Sequence, residues 1–203
     1  LTLNPNGGSV SSTTTAVTYY STYGELPTPV KEGYTFSGWY TSGSGGTKIE
    51  STTQVKTASN HTLYAQWTLN KYTLTLTKST GVSTIYYKIN GDTSYTSATS
   101  TQNLSINYGT TYTYYGVAST GYTISSCTES NPCIGTMGTS TVNKTLTAIK
   151  GYTVTLNIVN GTGSATQIVE AGSNATFTGI TPNSGYIISD DDWDAGFSIT
   201  STD

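Results

Sequence analysis

GYTFSGWY, residues 33–40, carries four aromatic side chains and two glycines in a chain otherwise rich in threonine and serine. Read as a strand, it sets Tyr34, Phe36 and Gly38 on one face and Thr35, Ser37 and Trp39 on the other, after a turn that Gly33 makes easy. Both faces therefore have something large to bury or to present. The Gly-Tyr signal returns as GYTIS at Gly121 and as GYIIS at Gly185, which marks an internal repeat. Upstream of each copy lies an alternating segment: LTLN from Leu1, YTLTLT from Tyr72 and YTVTLNIV from Tyr152. Alternation puts Leu1 and Leu3, then Tyr72, Leu74 and Leu76, then Tyr152, Val154, Leu156 and Ile158 on one face, with Thr or Asn opposite, so each strand is half-buried.

Composition narrows the class. Of 203 residues only 9% are charged and 34% hydrophobic, so solubility rests on Ser, Thr and Asn, as in extracellular β proteins. Eight lysines against eleven acidic residues give a net charge of −3, which offers no footprint for a phosphate backbone and argues against nucleic acid as a partner. No charged-then-apolar leader opens the chain, and no run of about 18 apolar residues crosses it, so neither a signal peptide nor membrane insertion is expected. The chain reads as a monomeric piece of something longer.

In the first 68 residues, NPNGGS after the opening strand is a turn signal, and AVTYYSTYG reads as the returning strand of a hairpin that exits at Gly24. Pro27 and Pro29 then hold an extended crossover into the GYTFSGWY strand. SGSGGTK reads as a flexible loop, KIESTTQVKTASN as an irregular segment with a short strand, and HTLYAQW as a closing strand with Leu63, Ala65 and Trp67 on one face.

The order and spacing of NGG, YG, LP-P, GY-F-GWY, GG and LYAQW over residues 1–68 resemble the Listeria-Bacteroides repeat, also known as the internalin B-repeat. The resemblance implies a small β-grasp-like module, found in tandem on secreted or surface-attached bacterial proteins as stalk or adhesin repeats. It brings no catalytic residues with it.

A second module, residues 69–150, keeps the opening YTLTLT and a closing TLTAIK but lacks the GWY tryptophan. Within it TIYYKINGDTSY reads as a hairpin turning at Asn90-Gly91 with Ile85, Tyr87 and Ile89 on one face, followed by LSINYG with Leu104, Ile106 and Tyr108. The third, residues 151–203, repeats the strand, an NG turn at Asn160-Gly161, a strand through QIVEAG and TPNSGYIIS, and is expected to stop short of its last strand. The fold class expected is mainly β, with these tandem modules joined by short linkers end to end in a rod.

Chemistry has few candidates. Cys127 and Cys133 flank TESNP, a loop fit for a disulfide that would stabilise by about 2 kcal/mol, whereas a redox or metal site would want C-x-x-C spacing or nearby histidines. In SDDDWDAG the spacing of Asp190, Asp192 and Asp194 begins like a calcium loop. Glycine comes one position late at Gly196, however, and the twelfth position is Ser201, so a solvated turn is the plainer reading and no cofactor is expected. His61 is the sole histidine, and the resemblance makes it a turn residue, so every Ser-His-Asp or Cys-His scheme lacks a base. Nothing selects a glycosidase pair among the carboxylates. Seventeen tyrosines against three phenylalanines suit half-wet cores and exposed faces alike. Tyr34, Phe36, Trp67 and Tyr122 read as core, while Trp39, Tyr40, Tyr114, Tyr115 and Trp193 are the candidates for stacking on a glycan or anchoring a protein partner.

Two functions survive: a non-catalytic repeat segment of an extracellular bacterial surface protein, acting as spacer with adhesion as a further role, and a carbohydrate-binding accessory region of a larger secreted enzyme. Inward-turned aromatics favour the first. An exposed coplanar row favours the second. An outer-membrane barrel is set aside for want of apolar girdles on ten-residue strands.

Overall fold

The structure, a computed structural model, describes residues 1–155, 161–162, 166–170 and 181–184. It is mainly β, and none of the described residues is helical. In chain order the strands are β1 Thr2–Asn4, β2 Tyr34–Tyr40, β3 Lys48–Ile49, β4 Thr62–Leu69, β5 Lys71–Lys78, β6 Val82–Ile89, β7 Thr96–Ala98 and β8 Gln102–Asn107. After them come β9 Thr111–Ala118, β10 Tyr122–Ile124, β11 Cys133–Thr136, β12 Val142–Leu146, β13 Ala148–Thr155, β14 Gly161–Thr162, β15 Thr166–Glu170 and β16 Thr181–Pro182. They form several small sheets, ordered β1-β4-β2-β3, β12-β5-β8, β11-β9-β6-β7, β10-β13-β15 and β14-β16. The chain divides into two compact units that interleave in sequence. One takes Leu1–Leu74, Leu104–Thr111 and Thr136–Val142; the other takes Thr75–Asn103, Tyr112–Gly135 and the described residues from Asn143 onward.

In the first unit β1 runs parallel to β4, with Thr2 opposite Thr62, and β2 runs antiparallel to β4. The expected strict alternation along β2 fails at one place. Phe36 faces Trp67 and Gly38 faces Gln66, so Ser37 is the extra residue of a β-bulge, with Gly38 at φ 137°. The bulge shifts the pleat by one residue and brings Trp39, opposite Ala65, onto the face of Phe36. The Phe36 ring then meets Trp39 at 5.6 Å and Trp67 at 5.5 Å, both edge to face. Leu3, Trp39, Leu63 and Ala65 form the buried centre, with Leu1, Val10, Tyr23, Leu26, Phe36, Ile49 and Trp67 packed around it. Leu63, Ala65 and Trp67 share a face as the alternation of HTLYAQW requires.

The hairpin expected from AVTYYSTYG does not form. Only an isolated bridge at Thr14 meets β1, and the chain then turns at Thr18–Ser21 and bonds instead to Thr53 and Val55. Tyr20 holds a positive φ of 67°, which no strand residue adopts. NPNGGS is a turn of a different use: Trp67 Nε1 donates to the Pro5 carbonyl at 3.1 Å, and Asn6 Nδ2 donates to the carbonyls of Ala65 and Gly43 at 3.1 and 3.2 Å. The 41–47 loop, expected to be flexible, is closed by Thr41 N to Thr47 O at 3.0 Å and by Thr47 N to Thr41 Oγ1 at 3.0 Å.

In the second unit, β6 and β7 make the expected hairpin beyond Asn90-Gly91, with Ile85 buried opposite Ala98. β9 pairs antiparallel with β6, setting Tyr86 opposite Tyr115 and Tyr87 opposite Tyr114. Val82, Ile124 and Leu146 gather around Gly116. β13 pairs with β15 from Gly151↔Glu170 to Thr155↔Thr166. Gly161, expected in a turn, instead pairs with Pro182 as part of β14. The GYIIS segment lies outside the described residues.

Gly33 joins the Gly-Tyr motif to residues beyond the first module. Its φ is 76°, its carbonyl accepts from Asn70 N at 2.9 Å, Asn70 O accepts from Tyr108 N at 2.9 Å, and the Tyr108 ring occupies the space a side chain would need. A Cβ at Gly33 would fall inside that ring. Gly33→Ala is expected to destabilise the chain by at least about 2 kcal/mol, from left-handed backbone strain and overpacking together. Urea unfolding followed by tryptophan fluorescence measures it, and an unchanged midpoint would refute the packing role.

Candidate functional site

The residues expected to present rings are mostly inside. Trp39 is 4% exposed in the first core, and its indole Nε1 donates to the Pro27 carbonyl at 3.0 Å, so too little of the ring is free to serve as a stacking platform. Tyr114 and Tyr115 are 7% and 6% exposed. Tyr115 stacks on Tyr86 at 4.9 Å with planes 8° apart, takes the edge of Tyr95 at 4.9 Å, and donates its hydroxyl to Glu129 Oε1 at 3.5 Å. Lys88 Nζ lies 4.9 Å above the Tyr95 ring, so this cluster is closed by its own cation. Tyr40 is half-buried opposite Tyr64. Trp193, Asp190, Asp192 and Asp194 lie outside the described residues. Among the described residues no three His, Cys, Asp or Glu side chains gather as a metal site would require.

Cys127 and Cys133 are joined, with Cα atoms 4.8 Å apart. The bridge closes the loop from which Glu129 reaches Tyr115, and the Cys127 carbonyl accepts from Gly116 N at 2.9 Å, tying the loop to β9. His61 has both ring nitrogens engaged. Nδ1 lies 3.0 Å from the Ser59 carbonyl, which can only accept, so Nδ1 carries the proton and Nε2 accepts from the Tyr23 hydroxyl at 2.8 Å. The histidine fastens the entrance to β4, where Thr2 N bonds to its carbonyl at 2.9 Å.

An open cleft of about 350 Å³ lies beside β2, lined by Glu25, Leu26, Phe36, Trp39, Lys48 and Glu50 among others. Lys48 and Glu50 pair across its rim at 2.9 Å, and that hydrogen bond raises the lysine pKa. The cleft holds neither histidine nor cysteine; its ionisable lining is Glu25, Lys48 and Glu50, and the last two are engaged with each other. Reading from sequence also missed an exposed aromatic pair, Tyr19 and Tyr20, 48% and 66% exposed. An alternating strand would have turned one of them inward. The positive φ at Tyr20, which breaks that alternation, has no mark in the residue type.

Residues 1–66 match the Listeria-Bacteroides repeat domain. A stretch of 51 residues is 53% identical to Internalin H of Listeria monocytogenes serovar 1/2a (strain ATCC BAA-679 / EGD-e), covering 25% of this chain and 9% of that protein. No solved structure matches the chain. The two findings support a repeat protein of the bacterial surface. In the matched repeat, the NPNGG turn, the GWY tryptophan and the LYAQW tryptophan are all spent on packing and on indole-to-carbonyl bonds.

Two outcomes follow from these sites. Opening the bridge with Cys127→Ser and Cys133→Ser together is expected to cost about 2 kcal/mol, read as a lower Tm than that of the oxidised chain. Burial raises the pKa of Tyr23, Tyr112, Tyr114 and Tyr115, with nearby tyrosine or Glu129 charge adding to the last two. A raised folded-state pKa means the native state keeps its protons longer, so this stability is complete below the ordinary tyrosine value near 10 and is lost as pH rises through the folded values. Denaturation midpoints measured from pH 8 to 11.5 should fall above about pH 10.

Proposed function

We propose that this chain is a non-catalytic repeat segment of a secreted or surface-attached bacterial protein, acting as a stalk or spacer and offering adhesive surface as a second role. The observation that carries the reading is the fate of the repeat's signature residues: Asn6, Gly33, Trp39 and Trp67 each serve packing or a backbone bond. The repeat match and the similarity to part of Internalin H support the same reading. A carbohydrate-binding accessory region built on Trp39, Tyr114 and Tyr115 is disfavoured, because buried rings cannot stack on sugar. The Cys127–Cys133 bridge supports an extracellular setting. In this reading the chain is a monomer whose partner is a protein or glycan outside the cell.

A spacer must hold its ends apart. Small-angle X-ray scattering of the 203-residue chain should therefore give a radius of gyration well above the about 17 Å of a compact domain of this length, with a monomer mass. A value at the compact limit would refute the spacer reading.

A further inference from the structure

Tyr19 and Tyr20 differ from the chain's core tyrosines in being turned outward as a pair. Their ring centroids are 4.4 Å apart with planes at 75°, and Tyr20 is 66% exposed. Tyr20 also sits at φ 67°, a left-handed conformation that a residue with a Cβ adopts only against a steric penalty. The backbone around it is fixed from several sides. Tyr20 N donates to Val55 O at 2.9 Å, Val55 N to Ser21 O at 2.8 Å, Ser21 N to Thr18 O at 3.0 Å, and Gln54 Nε2 to Tyr20 O at 3.0 Å. Val55, 1% exposed, anchors the partner segment in the interior. The fold thus holds a strained tyrosine rigidly while leaving its ring in water, where it returns little burial energy. Glycine would make the same turn without strain, so the ring is the part that packing does not explain.

The setting selects the ligand. The segments that hold the pair, Thr18–Thr22 and Thr53–Val55, carry hydroxyls, one amide, the two phenols and the buried Val55 side chain, and the one charged residue that adjoins them in sequence is Lys56, directly after Val55. We propose that Tyr19 and Tyr20 form a contact site for a neutral sugar ring. The apolar C–H face of a pyranose stacks on one phenol ring, and the neighbouring Ser, Thr and Gln groups offer neutral hydrogen bonds to its hydroxyls. Two rings at 75° cannot both lie against one flat surface, so the site takes a single residue or a chain end rather than the face of a sheet-like polymer. A ligand bearing several sulfates or phosphates finds no matching cluster of cations here, since Lys56 alone adjoins these segments. The pre-set backbone means that little ordering is left to be done on binding. This site is independent of the spacer reading, which stands or falls on the length of the chain.

Isothermal titration calorimetry of the whole chain with maltohexaose, cellohexaose, mannohexaose and chitohexaose, beside a heparin hexasaccharide, tests it. Tyr20→Gly and Tyr19→Ser are the variants. At least one neutral hexasaccharide should bind, and each variant should weaken that binding tenfold or more. Tyr20→Gly should meanwhile leave Tm unchanged or raise it, since it relieves strain and removes no core. The proposal is overturned if no neutral hexasaccharide binds, if only heparin binds, or if both variants bind as the parent does. A Tm lowered by Tyr20→Gly would assign the ring to the fold and overturn it as well.

Discussion

One extra residue in β2 organises the first unit. Without the bulge at Ser37, Phe36 and Trp39 would point to opposite faces, and one of these two rings would be turned away from the core. With it, three aromatic rings from β2 and β4 meet edge to face on a single side, over Leu3 and Leu63. Indoles buried this way still carry an N–H that must be satisfied. Both find proline carbonyls, Pro27 for Trp39 and Pro5 for Trp67. The irregular segments around Pro5 and Pro27 are thereby fixed by the core they cover, and the short strands need no long partners of their own.

Much of this was legible in the residues. Alternation located β2, β4 and β5 and the buried faces of β4 and β5, the Asn90-Gly91 signal located the β6–β7 hairpin, and the cysteine spacing located the bridge. What was not legible depends on partners distant in sequence. A bulge is invisible to a period-two reading, because Ser37 carries no sign that it will be skipped. Tyr114 and Tyr115 are as suited to water as to a core, and only the register that sets Tyr86 against Tyr115 decides between them. Gly33 reads as a turn residue, yet it is also the bed for Tyr108, which lies well beyond the matched repeat.

That last contact bears on what a repeat is in this chain. The Listeria-Bacteroides repeat ends by similarity at residue 66, while the compact unit that contains it also takes in Leu104–Thr111 and Thr136–Val142. Modules of this size are short of core, and borrowing residues from further along the chain is one remedy. The second unit uses another, filling β9 with large buried tyrosine rings and stapling the neighbouring loop with a disulfide.

The parallel pairing of β1 with β4 has a mechanical meaning. These are the first and last strands of the matched stretch, and Thr2 to Asn4 lie beside Thr62 to Tyr64 pointing the same way. Tension applied through the chain at Leu1 and Leu69 drags the two strands in opposite directions along their shared axis. Their hydrogen bonds are then sheared together and do not unzip one at a time. Survival under load is governed by the rate of unfolding and not by the equilibrium between folded and unfolded states. Three residue pairs placed in that orientation therefore count for more when the chain is pulled than their small share of the folding free energy implies.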